Sequence, residues 1–131
     1  MDAETIWRIS AFPTHTNYVG GPLNVMAGVA RSAKWPAFRR KHLKRQPACQ
    51  ACGCDVGDVL NVHHIKPFHL FPDLELDAAN VVTLCERGAF NCHWIFGHGG
   101  KSWSDWNPTV IADAEYVRGM LSHIVRGGAT C

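Results

Sequence analysis

A chain of 131 residues, 47% of them hydrophobic, has room for one compact domain and not for two ordinary ones. No apolar run approaches the ~20 residues of a membrane span, and the start "MDAETIW" is acidic where a signal peptide is basic. A soluble, cytoplasmic protein is therefore expected. The formal net charge of +2 hides an asymmetry: no acid lies between Ile6 and Cys54, Arg31 to Arg45 holds seven Lys or Arg, and nine of the eleven acids lie from Asp55 onward. Such a basic block is the footprint of a surface for a polyanion, with a solvated helix face as the plain alternative.

Residues 1–34 read as an N-terminal extension; "NYVGGPLNVMAGVA" has no trustworthy period and receives no role. The domain proper is expected over 35–131. Trp35-Pro36 opens a helix with proline in its first turn, Trp35, Phe38 and Leu43 mark an apolar side with the basic residues mainly opposite, and Pro47 stops it. "VLNVHHI" (59–65) and "NVVTL" (80–84) read as strands, joined by the excursion "KPFHLFPDLELDAA" with its two prolines. A short helix is expected over 91–96, ended by Gly97. Last comes a helix capped by Asn107, with Pro108 in its first turn and Val110, Ala114, Val117, Leu121 and Ile124 at helical spacing as a core stripe.

Six cysteines without an export signal favour metal binding over disulfides. Cys49-x-x-Cys52 follows the basic helix, and Cys85 and Cys92 follow the second strand. Two such pairs brought together make a tetrahedral four-thiolate zinc site. The first pair is the stronger signal, because six residues separate Cys85 from Cys92 where two to four are usual. Cys54 is an alternative to Cys52, and Cys131 reads as a terminal thiol. A structural zinc of this kind contributes on the order of 10 kcal/mol to folding.

Four of the eight histidines lie in the two segments that the cysteine pairs draw together: His63, His64, His93 and His98. An adjacent pair makes sense if one imidazole binds a divalent metal and the other, close by but unligated, acts as a general base. Strand alternation points neighbours to opposite faces, so both reach one site only if the strand twists or ends there.

These residues, "CQAC", "VHHIKP", "LDAANVVTLC" and "CHWIFGH" after a basic helix, together resemble the HNH endonuclease family over roughly Trp35 to Pro108. The resemblance implies an α+β fold: a small zinc-stabilised ββα-metal, treble-clef-like domain with flanking helices, its zinc on Cys49, Cys52, Cys85 and Cys92. It implies His63 as a ligand of the catalytic ion, His64 as the base, Asn80 as the tether that orients the base, and His93 as a further ligand. His98 resembles a ligand that some members place four residues on. Here the spacing is five, which turns it away on a regular helix, and a break at Gly97 would restore it. The tail "GHGGKSWSDWNP" is similar to phage and bacterial members, which would place the protein in a host cytoplasm.

The implied reaction is metal-dependent hydrolysis of phosphodiester bonds in DNA; the residues do not discriminate against RNA. His64 would deprotonate water while a divalent ion neutralises the phosphate and the departing oxygen. Magnesium or manganese is the expected ion, and imidazole ligands also accept nickel, cobalt or zinc. Arg39, Arg40, Lys41, Lys44, Arg45 and Lys66 are the expected phosphate contacts, with Lys101 and Arg87 secondary. Trp94, Trp103 and Trp106 read as core before base-stacking groups. A homodimer or a larger phage or host assembly is compatible with one site per chain. The rival reading is a non-catalytic zinc module that binds nucleic acid or protein; it explains the cysteines and the basic helix but does not require His63, His64, Asn80 and His93 in order.

Overall fold

The computed structural model describes residues 19–20, 30–86 and 91–124. Its elements in chain order are β1 (Val19–Gly20), α1 (Trp35–Arg45), β2 (Leu60–His64), β3 (Val81–Cys85), a single π-helical turn (His93–Gly97), β4 (Asp105–Trp106) and α2 (Val110–Ile124). Helices beside a small antiparallel sheet make the fold α+β, in the expected order of helix, strand, strand, short helix and helix. The ribbon β1–β4 is an addition, as are short 3-10 turns at Gly57–Val59, Pro72–Leu74 and Ala78–Asn80.

β2 and β3 pair antiparallel, with Leu60 opposite Cys85 and His64 opposite Val81. All five residues of β3 are buried, as expected of a strand covered on both faces. α2 supplies the core stripe read from its spacing: Val110, Ala114, Val117 and Leu121 are buried with Leu60, Val82, Leu84 and Phe96. The side chain of Ile124 lies outside the described residues. Asn107 takes its expected place before this helix, its Oδ1 accepting from the Thr109 backbone N–H at 3.0 Å. The same side chain donates to the Phe96 carbonyl at 3.0 Å and to the Asp113 carboxylate at 2.6 Å, so it also clamps the π-helical turn to α2.

α1 starts with Pro36 in its first turn and closes at Arg45, with Gln46 N–H on the His42 carbonyl. Its inward side is broader than the apolar residues suggest. His42 is its one buried residue, and Arg39, four positions after Trp35, turns the same way and donates to the Leu60 carbonyl at 3.4 Å. Arg40, Lys41, Lys44 and Arg45 are exposed. Among the described residues no helix is long and apolar enough to cross a membrane.

Candidate active site and zinc centre

Cys49, Cys52, Cys85 and Cys92 come together with their sulfur atoms all within 4.8 Å of one another. The first pair sits on a tight turn closed by Cys49 N–H on the Cys54 carbonyl (2.7 Å) and Gly53 N–H on the Cys49 carbonyl (2.9 Å). Gly53 has φ +81°, a left-handed conformation that glycine adopts without steric cost. This knuckle is tied to β3 by Gln50 N–H on the Thr83 carbonyl and by the Thr83 hydroxyl on the Gln46 carbonyl. The wide second interval closes differently: Cys85 ends β3, Cys92 precedes the π-helical turn, and the Cys92 N–H points at Cys85 Sγ at 3.3 Å. Cys54, also fully buried, is disulfide-bonded, against the expectation of metal binding over disulfides, and lies outside the set, so Cys52 and not Cys54 is the fourth partner. Cys131 and Arg87 lie outside the described residues.

The charges of this cluster test its fit to a metal. Hydrogen bonds from Cys52, Cys85 and Cys92 hold the Cys49 thiol far below its ordinary range. Bonds to Cys49 and Cys85 push Cys52 far up, and bonds to Cys49, Cys52 and Cys85 raise Cys92. Four crowded thiols divide in this way because they cannot all ionise without a counter-charge. A zinc ion supplies it, and the four-sulfur donor set is the one zinc takes in structural sites.

A second group of donors stands on the other side of β2. His63, His93 and His98 each offer a ring nitrogen within 4.8 Å of the others, and their rings meet edge-on at centroid distances of 4.8 to 5.0 Å. The five-residue spacing of His93 and His98 would set them about 140° apart around an α-helix. The segment is instead a π-helical turn, whose repeat joins residues five apart, and it brings His98 Nε2 to 3.2 Å from His93 Nε2. Gly97 is therefore not the break that rescues His98; it is the last residue of the turn, and the His63 ring lies against it. A Cβ on Gly97 would stand 2.8 Å from His63 Cε1 and 3.0 Å from Nδ1.

The protonation pattern suits a cation. The Asp105 carbonyl can only accept, so His98 carries its proton on Nδ1, at 2.8 Å, and turns a bare Nε2 toward His93. His63 Nε2 is buried with no hydrogen-bond partner. Burial, followed by the neighbouring imidazoles, drives the His63 pKa well below its usual value, and burial then His98 lower His93 to about 3. Burial lowers His98 as well, so all three rings are neutral at pH 7, and the His93 Nε2–H that His98 Nε2 accepts is the one proton a cation would displace. Glu86 Oε1 lies 3.8 Å from His93 Nδ1, beyond hydrogen-bond reach, and that nitrogen is buried with no hydrogen-bond partner. These residues fit a divalent ion.

His64 points to the opposite face of β2, as strand alternation requires, with its ring 4.8 Å from that of Trp35. Because β2 ends at this residue, one cleft of about 370 Å³ still reaches both histidines, along with His93, His98, Arg31 and Trp103. His64 Nε2 donates to the Glu75 carbonyl at 2.9 Å, which leaves Nδ1 as an acceptor, 3.5 Å from Arg31 Nη1. Burial lowers the His64 pKa most, and Arg31 adds to the effect against the raising pull of the Glu75 carbonyl. Asn80 knits the excursion behind the ring: its Oδ1 accepts from Lys66 N–H (2.9 Å), and its Nδ2 donates to the carbonyls of Lys66 (3.1 Å) and Leu74 (3.2 Å). Leu74 adjoins Glu75, so this amide fixes the carbonyl that fixes His64.

Of the expected phosphate contacts, Arg39 lines the cleft while the rest of the α1 set faces solvent; Lys66 is exposed, with Nζ 5.6 Å over the Phe71 ring. Trp94 is half-buried against the core and Trp106 half-buried, as read, whereas Trp103 is 52% exposed at the rim and packs on His93, His98 and Trp94. Glu75 was invisible in sequence, being one acid among several in "PDLELD"; its side chain is buried and accepts the Ser32 N–H at 3.1 Å. Arg31 carried only the signal of the basic block.

A two-stranded sheet and a short helical turn around a histidine trio, braced by a four-cysteine cluster, define a small zinc-stabilised nuclease-type domain. Residues 49–94 match the family model of the HNH endonucleases. No curated protein and no solved structure matches the chain.

Proposed function

We propose that this protein is a metal-dependent endonuclease that hydrolyses phosphodiester bonds in DNA. The observation that carries the reading is the orientation of His64. Its proton is committed to the Glu75 carbonyl on one side, which leaves Nδ1 unprotonated, approached by Arg31 Nη1 at 3.5 Å, in a residue that lines the cleft with three further imidazoles. A nitrogen so prepared takes a proton from water, and the resulting hydroxide attacks phosphorus as the bond to the 3′-oxygen breaks. Asn80 acts as a positioning residue, through Leu74 and Glu75. His63, His93 and His98 hold a divalent ion, magnesium or manganese by preference, which when bound neutralises the phosphate and the departing oxygen. Cys49, Cys52, Cys85 and Cys92 hold a structural zinc. The exposed Arg40, Lys41, Lys44 and Arg45, with Arg39 and Lys66, meet the DNA backbone without reading bases.

The test is cleavage of supercoiled plasmid by protein stripped of loosely bound metal, with magnesium, manganese, nickel or cobalt added back and the new ends mapped. Metal-dependent nicks ending in 3′-hydroxyl and 5′-phosphate are expected. Binding without cleavage under every ion would favour the non-catalytic zinc module. One site makes one nick, so a double-strand break requires two visits or a dimer.

A further inference from the structure

We infer that Arg31 is a further catalytic residue, one that grips a non-bridging oxygen of the scissile phosphodiester beside His64; this rests on the nuclease reading above. Arg31 precedes α1 and lies 33 positions from His64 in sequence, yet its Nη1 stands 3.5 Å from His64 Nδ1. The guanidinium lies between two aromatic faces, with Cζ 4.8 Å from the Trp35 ring centroid and 4.5 Å from that of Phe68. Those faces fix its plane while leaving its edge free. Glu75 anchors it from behind: Oε2 is 3.6 Å from Nη1, and both carboxylate oxygens lie within 3.3 Å of the Ser32 N–H, so the acid pins the chain just after Arg31 as well.

The anchor is buried and the cation is not. The Glu75 side chain is 7% exposed and that of Arg31 46%, with Arg31 at the wall of the cleft. A guanidinium has five N–H donors in a planar fork, and both polar contacts of Arg31 are made through Nη1. The remaining donors suit the oxygens of a phosphate, which an arginine fork binds in two-point fashion. Position completes the argument. The attacking water must take the His64 Nδ1 lone pair, displacing the long 3.5 Å contact from Arg31 Nη1, and a reacting phosphorus lies about 3–3.5 Å beyond its nucleophile. A guanidinium poised beside the same nitrogen therefore falls next to the non-bridging oxygens, where charge rises as the bond to water forms. An ordinary exposed ion pair needs neither the aromatic clamp nor the buried anchor.

The experiment compares zinc-loaded wild type, Arg31→Ala and Arg31→Lys, with manganese, on plasmid DNA and on bis(p-nitrophenyl) phosphate, a small diester with no backbone for the basic helix to hold. For Arg31→Ala, zinc content should be unchanged and the protein should stay folded at the assay temperature, with Tm lowered by the loss of the Glu75 ion pair, and kcat should fall about 100-fold or more on both substrates, the usual loss for one donor to a developing anion. Added guanidinium should restore part of the lost rate, and Arg31→Lys should recover only part, having the charge without the fork. Three results would overturn the inference while leaving the nuclease standing: undiminished kcat in Arg31→Ala, a loss confined to KM for DNA, or an activity loss matched by unfolding at the assay temperature without guanidinium rescue. A folded wild type that cleaves neither substrate would overturn the nuclease reading itself, and this inference with it.

Discussion

Replacing Gly97 with alanine places a methyl group against the His63 ring. The added Cβ would lie 2.8 Å from Cε1, 3.0 Å from Nδ1 and 3.2 Å from Nε2. An ordinary carbon contact needs about 3.5 Å, so the imidazole must retreat by roughly 0.7 Å or the π-helical turn must move. Neither is cheap, because the residue is buried, 3% exposed, and the turn is clamped by Asn107. Metal sites tolerate ligand displacements of only about 0.2 Å. The affinity of the histidine trio for manganese should therefore drop at least about 10- to 100-fold, the loss typical when a ligand is mispositioned, while the four-cysteine zinc remains. Calorimetric titration with manganese, beside elemental analysis for zinc, reads both. Gly119→Ala is the matched control: nothing lies within 4 Å of its Cβ position on exposed α2, and it should gain about 0.5–1 kcal/mol of helix stability. A Gly97→Ala protein that binds manganese as the wild type does would refute the packing argument.

Three other outcomes follow from the same geometry. Cys49→Ser should lose zinc and unfold the domain, since a structural site worth on the order of 10 kcal/mol rivals the whole stability of such a fold; an unchanged melting temperature would contradict the four-cysteine site. Replacing Arg39, Arg40 and Lys41 together with alanine should raise the DNA dissociation constant and flatten its dependence on salt by about 0.9 in log–log slope for each phosphate no longer neutralised, as read by fluorescence anisotropy. His64 works neutral and its pKa is held below 6.5, chiefly by burial, so activity should persist as pH falls through 6.5 and fail only below it; an acid limb of kcat/KM centred above pH 7 would refute that environment.

The cysteine cluster was legible because C-x-x-C is a local signal: the knuckle forms from adjacent residues, and its closure at Gly53 needs no distant partner. The strand pair and α2 were legible for the same reason, through alternation and helical spacing. The resemblance set His98 with the ligands, but the turn that brings it there was not legible, because a five-residue spacing does not suit an α-helical repeat. A π-helical turn has no distinct sequence periodicity over five residues, and here it is fixed by tertiary demands, the His63 ring against Gly97 and the Asn107 clamp on Phe96. Glu75 and Arg31 escaped for a different reason. Their positions beside His64 are set by contacts across 11 and 33 residues, and each looks like an ordinary surface charge until the chain is folded. The aromatic rim at Trp103 shows the opposite error, a residue read as core that stands half in solvent.

Plasmid nicking by wild type and His64→Ala, with metal added back after chelation, decides whether His64 is the base of a metal-dependent nuclease. The variant should keep its fold, zinc content and DNA affinity while its nicking rate falls by about 10²- to 10⁴-fold, the share a positioned base supplies. A His64→Ala protein that nicks as fast as wild type would contradict the assignment, and a folded, zinc-loaded wild type that nicks under no divalent ion would contradict the nuclease.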